Sequence, residues 1–209
     1  MRLVARGIGR LMAGYAWIVA RTCRLEGTVT QEPAVLAFWH EYNLVAAIAA
    51  LRGRRHQHHV SFSTQTFRGE VMTAFLAALD AGSVPLPPEG DRAAATRLTL
   101  EMARLGREGA SVVVSPDGPV GPYRKAKPGA LIVAREAALP LQPWAVDARP
   151  AIRLRGRWDR HIVPLPYARL RVIEAAPIVV GAREPLRPLL ARLQAGLDEA
   201  AADADRGGR

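Results

Sequence analysis

Val112–Trp144 constrains the fold more than any other stretch of this chain. An apolar run, Val112-Val113-Val114, ends in Ser115-Pro116-Asp117-Gly118-Pro119. A Gly/Pro turn carrying Arg124, Lys125 and Lys127 follows, and Pro128-Gly129 opens a helix-like run over Ala130–Ala138. A second apolar run closes on Leu139–Trp144. Strand, polar loop, helix and strand in that order form a βαβ unit, and ligands bind where such strands end. A helix start beside several cations favours an anion, so Asp117, Gly118, Arg124 and Lys127 are the candidate binding residues for a phosphate-bearing substrate. The same residues also suit an ordinary solvated turn.

Strands alternate with helices elsewhere too. Ala34–Trp39 reads as a buried strand, Glu41–Leu51 as a helix, Val60–Ser63 as a short strand and Gly69–Ala81 as a helix. Gly82–Gly90 reads as a loop, and Asp91 caps a helix over Arg92–Arg107. Ile152–Arg160 is polar and basic, Pro164-Leu165-Pro166 breaks the chain, Arg169–Ile173 alternates as a strand and Leu186–Ala201 is a last helix. The expected architecture is a single-domain α/β sandwich: a mixed, mostly parallel sheet flanked by helices, over residues 25–201. Residues 202–209 read as a disordered tail.

At 209 residues with 49% hydrophobic content, the chain can bury a full core and is not disordered. One cysteine excludes an internal disulfide framework. The net charge of +10 calls for an anionic partner. Arginines spread along the chain without a recognition motif, and only 6% aromatic residues, argue against nucleic acid.

Residues 1–24 form an amphipathic helix. Val4, Ile8, Leu11, Met12, Tyr15, Ile18 and Val19 share an arc of about 120°. Arg2, Arg6, Arg10, Arg21 and Arg24 share the opposite side. The composition suits a helix lying on an anionic lipid surface. A helix packed on the domain and a cleaved signal are the alternatives. The longest uncharged run, Leu11–Ala20, is too short to span a bilayer.

His40 ends the first strand at a helix start, where α/β sites assemble, and histidine is the natural general base near neutral pH. A structural histidine is the alternative. Glu70 is the first choice for the acid that orients it, then Asp117, then Glu41, which would point about 100° away on a helix. His56, His58 and His59 have no carboxylate or cysteine at ligand spacing, so no metal is expected. No nucleotide-binding glycine motif and no nucleophile elbow occur. Trp158-Asp159-Arg160 suits either an ion pair with a packed indole or a substrate contact.

The order S-P-D-G-P-x-G-P, K-x-G and A-R-E-A-A-L-P-L-x-P, with Phe38-Trp39-His40 upstream, resembles the lysophospholipid acyltransferase-like superfamily, and most of all a bacterial subgroup catalogued as a domain of unknown function. The resemblance spans roughly Arg21–Val180 and takes in Trp158-Asp159-Arg160 and Pro164-Leu165-Pro166. It implies a glycerolipid acyltransferase-like fold. It also implies transfer of a fatty acyl group from acyl-CoA or acyl-carrier protein to a lysophospholipid-like hydroxyl, without a bound cofactor, at the cytoplasmic face of the membrane. His40 would be the base. The chain departs from the pattern: in the loop, Ser115 stands for the subgroup's Thr and Val120 for its Arg. Val45 stands where the superfamily's orienting acid would be, Arg68 replaces an Asp ahead of Gly69-Glu70, and the R-G-S-S segment is missing. A catalytically degenerate relative that binds lipid or anions is therefore the second expectation.

Overall fold

The computed structural model describes residues 1–27, 32–53, 58–86 and 91–207. Within it a seven-stranded sheet has the order β1-β7-β6-β2-β5-β3-β4. Its strands are β1 (Arg24–Glu26), β2 (Val35–Ala37), β3 (His59–Thr64), β4 (Gly82–Leu86), β5 (Ser111–Val114), β6 (Leu141–Arg153) and β7 (Ile162–Glu174). Every pair is parallel except β6 with β7. The helices are α1 (Arg2–Thr22), α2 (Asn43–Gly53), α3 (Phe67–Ala78), α4 (Arg92–Arg107), α5 (Gly129–Ala137) and α6 (Leu186–Arg206). The expected α/β domain with a mixed, mostly parallel sheet and an N-terminal helix is what the chain forms.

The short apolar runs become central strands because both faces are covered: all of β2 is buried, and β5 is buried at Ser111, Val112 and Val114. From β2 the chain crosses over β5 through α2 to β3. From β5 it crosses back over β2 through α5 to β6. Right-handed crossovers in opposite directions put α2 and α5 on opposite faces. The strand order therefore reverses between β2 and β5, which opens a crevice above their carboxyl ends.

Three sequence expectations change. Gly82–Leu86 is a strand rather than the start of a loop. It is the sheet's edge, where Pro85 leaves no gap in an inner ladder. Pro164 and Pro166 do not break the chain but lie inside β7. There the strand has not yet reached β1, which pairs only with Arg169–Arg171, so no second partner strand among the described residues lies beside the prolines. The tail expected from Ala202 instead continues α6 to Arg206, with Ala204 buried. Gly208 and Arg209 lie outside the described residues, as does His56.

The N-terminal helix packs on α2, α3 and β7. It does so through small residues: Ala5, Gly9, Ala13, Ala16 and Ala20 are buried with Val19. An ideal Cβ on Gly9 would sit 2.6 Å from the Val71 carbonyl and 2.7 Å from the Ala74 Cβ, so the backbones touch there and only glycine fits. Most of the large apolar stripe faces outward instead. Leu11 is 77% exposed, and Leu3, Val4, Ile8 and Ile18 are exposed with it.

Candidate active site

His40 and Asp117 meet because of strand register. Ala37 of β2 is paired with Val114 of β5. His40 and Asp117 each lie three residues further on, so they emerge side by side at the crevice. The Ser115–Gly118 turn closes with a Gly118 N–H to Ser115 carbonyl bond of 3.0 Å, and Gly118 has φ +69°, a conformation that suits glycine. The Ser115 hydroxyl donates to Asn43 Oδ1 at 2.8 Å, tying the turn to the start of α2.

Asp117 is 0% exposed and meets both the ring and the backbone of His40. Its Oδ1 lies 2.7 Å from His40 Nδ1, and its carboxylate also accepts the His40 backbone N–H at 3.2 Å. A carboxylate on Nδ1 fixes the tautomer that carries a proton there, so Nε2 is free to accept one. The His40 side chain is 20% exposed and lines a cavity of about 1210 Å³. Much of the wall is apolar, including Phe38, Leu44, Met72, Phe75 and Leu98. Gly118, Lys127 and Arg68 line the same cavity.

The acid beside His40 is thus Asp117 and not Glu70, the first choice from sequence. Glu70 lies in the first turn of α3, is 40% exposed and meets Arg2 at 3.5 Å. Gly69 ahead of it is constrained by the backbone: a Cβ there would lie 1.6 Å from the Thr64 carbonyl. Val45, at the superfamily's acid position, is buried in α2.

The loop cations divide. Arg124 turns away from the cavity into a closed ring of charges. Its Nε donates to Glu41 Oε1 at 2.6 Å, and its Nη2 reaches Asp205 at 3.4 Å. Arg153 donates to Glu41 Oε2 at 3.0 Å and to Asp205 Oδ1 at 2.9 Å. Tyr123 adds its hydroxyl to Glu41 at 3.1 Å. Glu41 is 0% exposed, and a buried carboxylate with two guanidiniums must keep them. Burial works against the Arg124 cation, but Glu41 together with Tyr42 and Tyr123 more than offsets it and holds the guanidinium protonated. Burial, with Glu41 beside it, pushes the Tyr123 phenol up to about 12. Arg124, expected to hold substrate, therefore locks the loop to α6. Lys127 does face the site: its Nζ lies 2.8 Å from the position a Gly118 Cβ would take. It makes no ion pair among the described residues.

Sequence reasoning missed His161 and Asp205. His161 lines the same cavity as His40. Asp205 fell in the segment read as a tail. Both act over long sequence separations, which no local motif records. No three His, Cys, Asp or Glu side chains converge as a metal site among the described residues.

No family model matches the chain. An uncharacterized protein, RP090, of Rickettsia prowazekii (strain Madrid E) is 24% identical over 155 residues, covering 74% of this chain and 68% of that one. Among solved structures, the 1-acyl-sn-glycerophosphate (LPA) acyltransferase PlsC from Thermotoga maritima superposes with a TM-score of 0.57 at 14% identity. It covers 97% of this chain and 83% of that one. The chain shares the fold of that acyltransferase.

Proposed function

We propose that this protein is a membrane-associated acyltransferase that moves a fatty acyl group from an acyl thioester to a hydroxyl of a lysophospholipid or related lipid. The observation that carries the reading is the His40–Asp117 pair at the mouth of a large, mostly apolar cavity, on an acyltransferase fold. His40 Nε2 takes the proton of the acceptor hydroxyl as its oxygen attacks the thioester carbonyl. The new C–O bond forms and the C–S bond breaks. The proton passes from Nε2 to the leaving thiolate. Asp117 stabilises the imidazolium between the two steps. Lys127 is the cation placed to meet a phosphate beside the reacting atoms. The donor is acyl-CoA or acyl-carrier protein, and no metal or bound cofactor has a part in these steps.

The degenerate alternative rested on the acid missing at Val45. Asp117 supplies one from the neighbouring strand, which favours the catalytic reading. Membrane association is supported by α1, whose exposed Leu3, Val4, Ile8, Leu11 and Ile18 run beside exposed Arg6, Arg10 and Arg21. By length and hydropathy α1 could also cross a bilayer. Its packing on α2 and α3 favours a helix lying along the surface, at the cytoplasmic leaflet.

The test is thiol release from acyl-CoA and from acyl-carrier protein with membrane lipid as acceptor, for the wild type and His40→Ala. Release in the wild type that falls at least about 100-fold in the variant is expected, the lower end of what a general base contributes. Equal release from both proteins would refute the reading.

A further inference from the structure

The turn between β6 and β7 has no part in the chemistry above, yet it covers His40. The Trp158 ring packs at a tilt against the His40 imidazole, with centroids 5.2 Å apart and planes at 55°. Asp159 is buried and gripped by Arg157, whose Nε and Nη2 donate at 2.9 and 2.8 Å. Arg160 sits over the Tyr123 ring at 4.7 Å with φ +48°. A Cβ on Gly121 would come within 3.0 Å of the Trp158 ring, so the 119–127 loop is shaped around the indole. His161 follows in the same turn, its Nδ1 buried without a hydrogen bond, 3.7 Å from Asp159 Oδ2.

These contacts stabilise one arrangement of the turn and set Trp158 against His40. An indole packed against an imidazole shuts water away from that side of the ring. That matters for acyl transfer, because water competes with the acceptor hydroxyl for the thioester.

We propose that Trp158 is a positioning residue of the His40 centre: the indole screens one side of His40 from water. The inference rests on the acyltransferase reading for its kinetic consequence but not for its geometry, so two kinds of measurement separate them.

The first needs no activity. The rate at which diethylpyrocarbonate modifies His40 is followed by peptide mass spectrometry, with His40→Ala confirming the assignment. Trp158→Ala is expected to raise that rate several-fold, and Trp158→Phe, which keeps a ring, to leave it near the wild type. Equal rates in all three proteins would overturn the screening role. If Trp158→Ala fails to fold, Trp158→Leu replaces it.

The second divides acyl thioester consumption into transfer and hydrolysis. Trp158→Ala is expected to shift the ratio several-fold toward hydrolysis. An unchanged ratio would overturn the consequence for transfer. If the wild type transfers no acyl group, the function fails while the modification rates still decide whether Trp158 screens His40.

Discussion

Asp117 carries two hydrogen bonds from one residue, and that decides what its loss should do. Asp117→Asn would keep the shape but replace a carboxylate with an amide that cannot stabilise an imidazolium. By analogy with catalytic triads, where the matching change costs about 10⁴ in turnover, a fall in kcat of about 10²–10⁴ is expected. Glu70→Gln, which breaks only an exposed contact with Arg2, should leave kcat unchanged. A large loss in Glu70→Gln with none in Asp117→Asn would reverse the assignment. His161 gives a second prediction at this scale. Burial holds its imidazole below the usual 6.5, against a smaller upward pull from Asp159. Above 6.5 the ring is neutral in both folded and unfolded chains and contributes nothing. As pH falls through 6.5 the unfolded chain takes the proton first, so folding loses stability. Asp159, held down by Arg157 against its own burial, loses its contribution only as pH falls below 3.8. Melting temperature should therefore decline below pH 6.5 in the wild type and decline less in His161→Gln. Parallel curves would refute it.

Elements show why some of this was legible and some was not. The 112–144 unit was readable because its apolar runs, turn residues and helix start agree with one another, and it folds as β5, loop, α5 and β6. The partner of His40 was not, because the choice between Glu70 and Asp117 depends on which strands are neighbours and in what register. Likewise Arg124 looked like a substrate cation until α6 delivered Asp205 to the same ring of charges. The N-terminal helix was read correctly as amphipathic, but the stripe of large residues is not the main face that packs. Small residues dock the helix, since they let its backbone approach α3 closely. The two faces should therefore separate under mutation. Gly9→Leu should lower the melting temperature, because no side chain fits against Val71 and Ala74. Leu11→Ser should leave the melting temperature alone and weaken vesicle binding, since Leu11 is exposed. Loss of stability in Leu11→Ser would mean that the stripe packs on the protein after all.

For the whole molecule, the +10 charge is concentrated outward. Glu41, Asp117, Asp147 and Asp159 are buried, and several of their charges answer arginines of the interior or its rim. The exposed arginines of α1 stand beside an apolar stripe, on the helix that also contributes Met12, Trp17, Ala20 and Arg21 to the cavity wall. Exposed cations, an apolar stripe and part of the cavity wall thus meet in one element. Screening separates the two contributions, because the Debye length shrinks from about 8 Å at 0.15 M salt to about 3 Å at 1 M. Raising salt over that range should release the protein from anionic vesicles and leave weaker, apolar attachment in place. Transfer to an acceptor embedded in those vesicles should fall in step. Transfer to a short-chain acceptor dispersed in water should not, since the His40–Asp117 contact is buried on the Asp117 side and poorly screened. Sedimentation of vesicles alongside both assays checks this. An equal fall for both acceptors would place the salt effect at the active site instead of the surface, and undiminished binding at 1 M would assign the attachment to the apolar stripe alone.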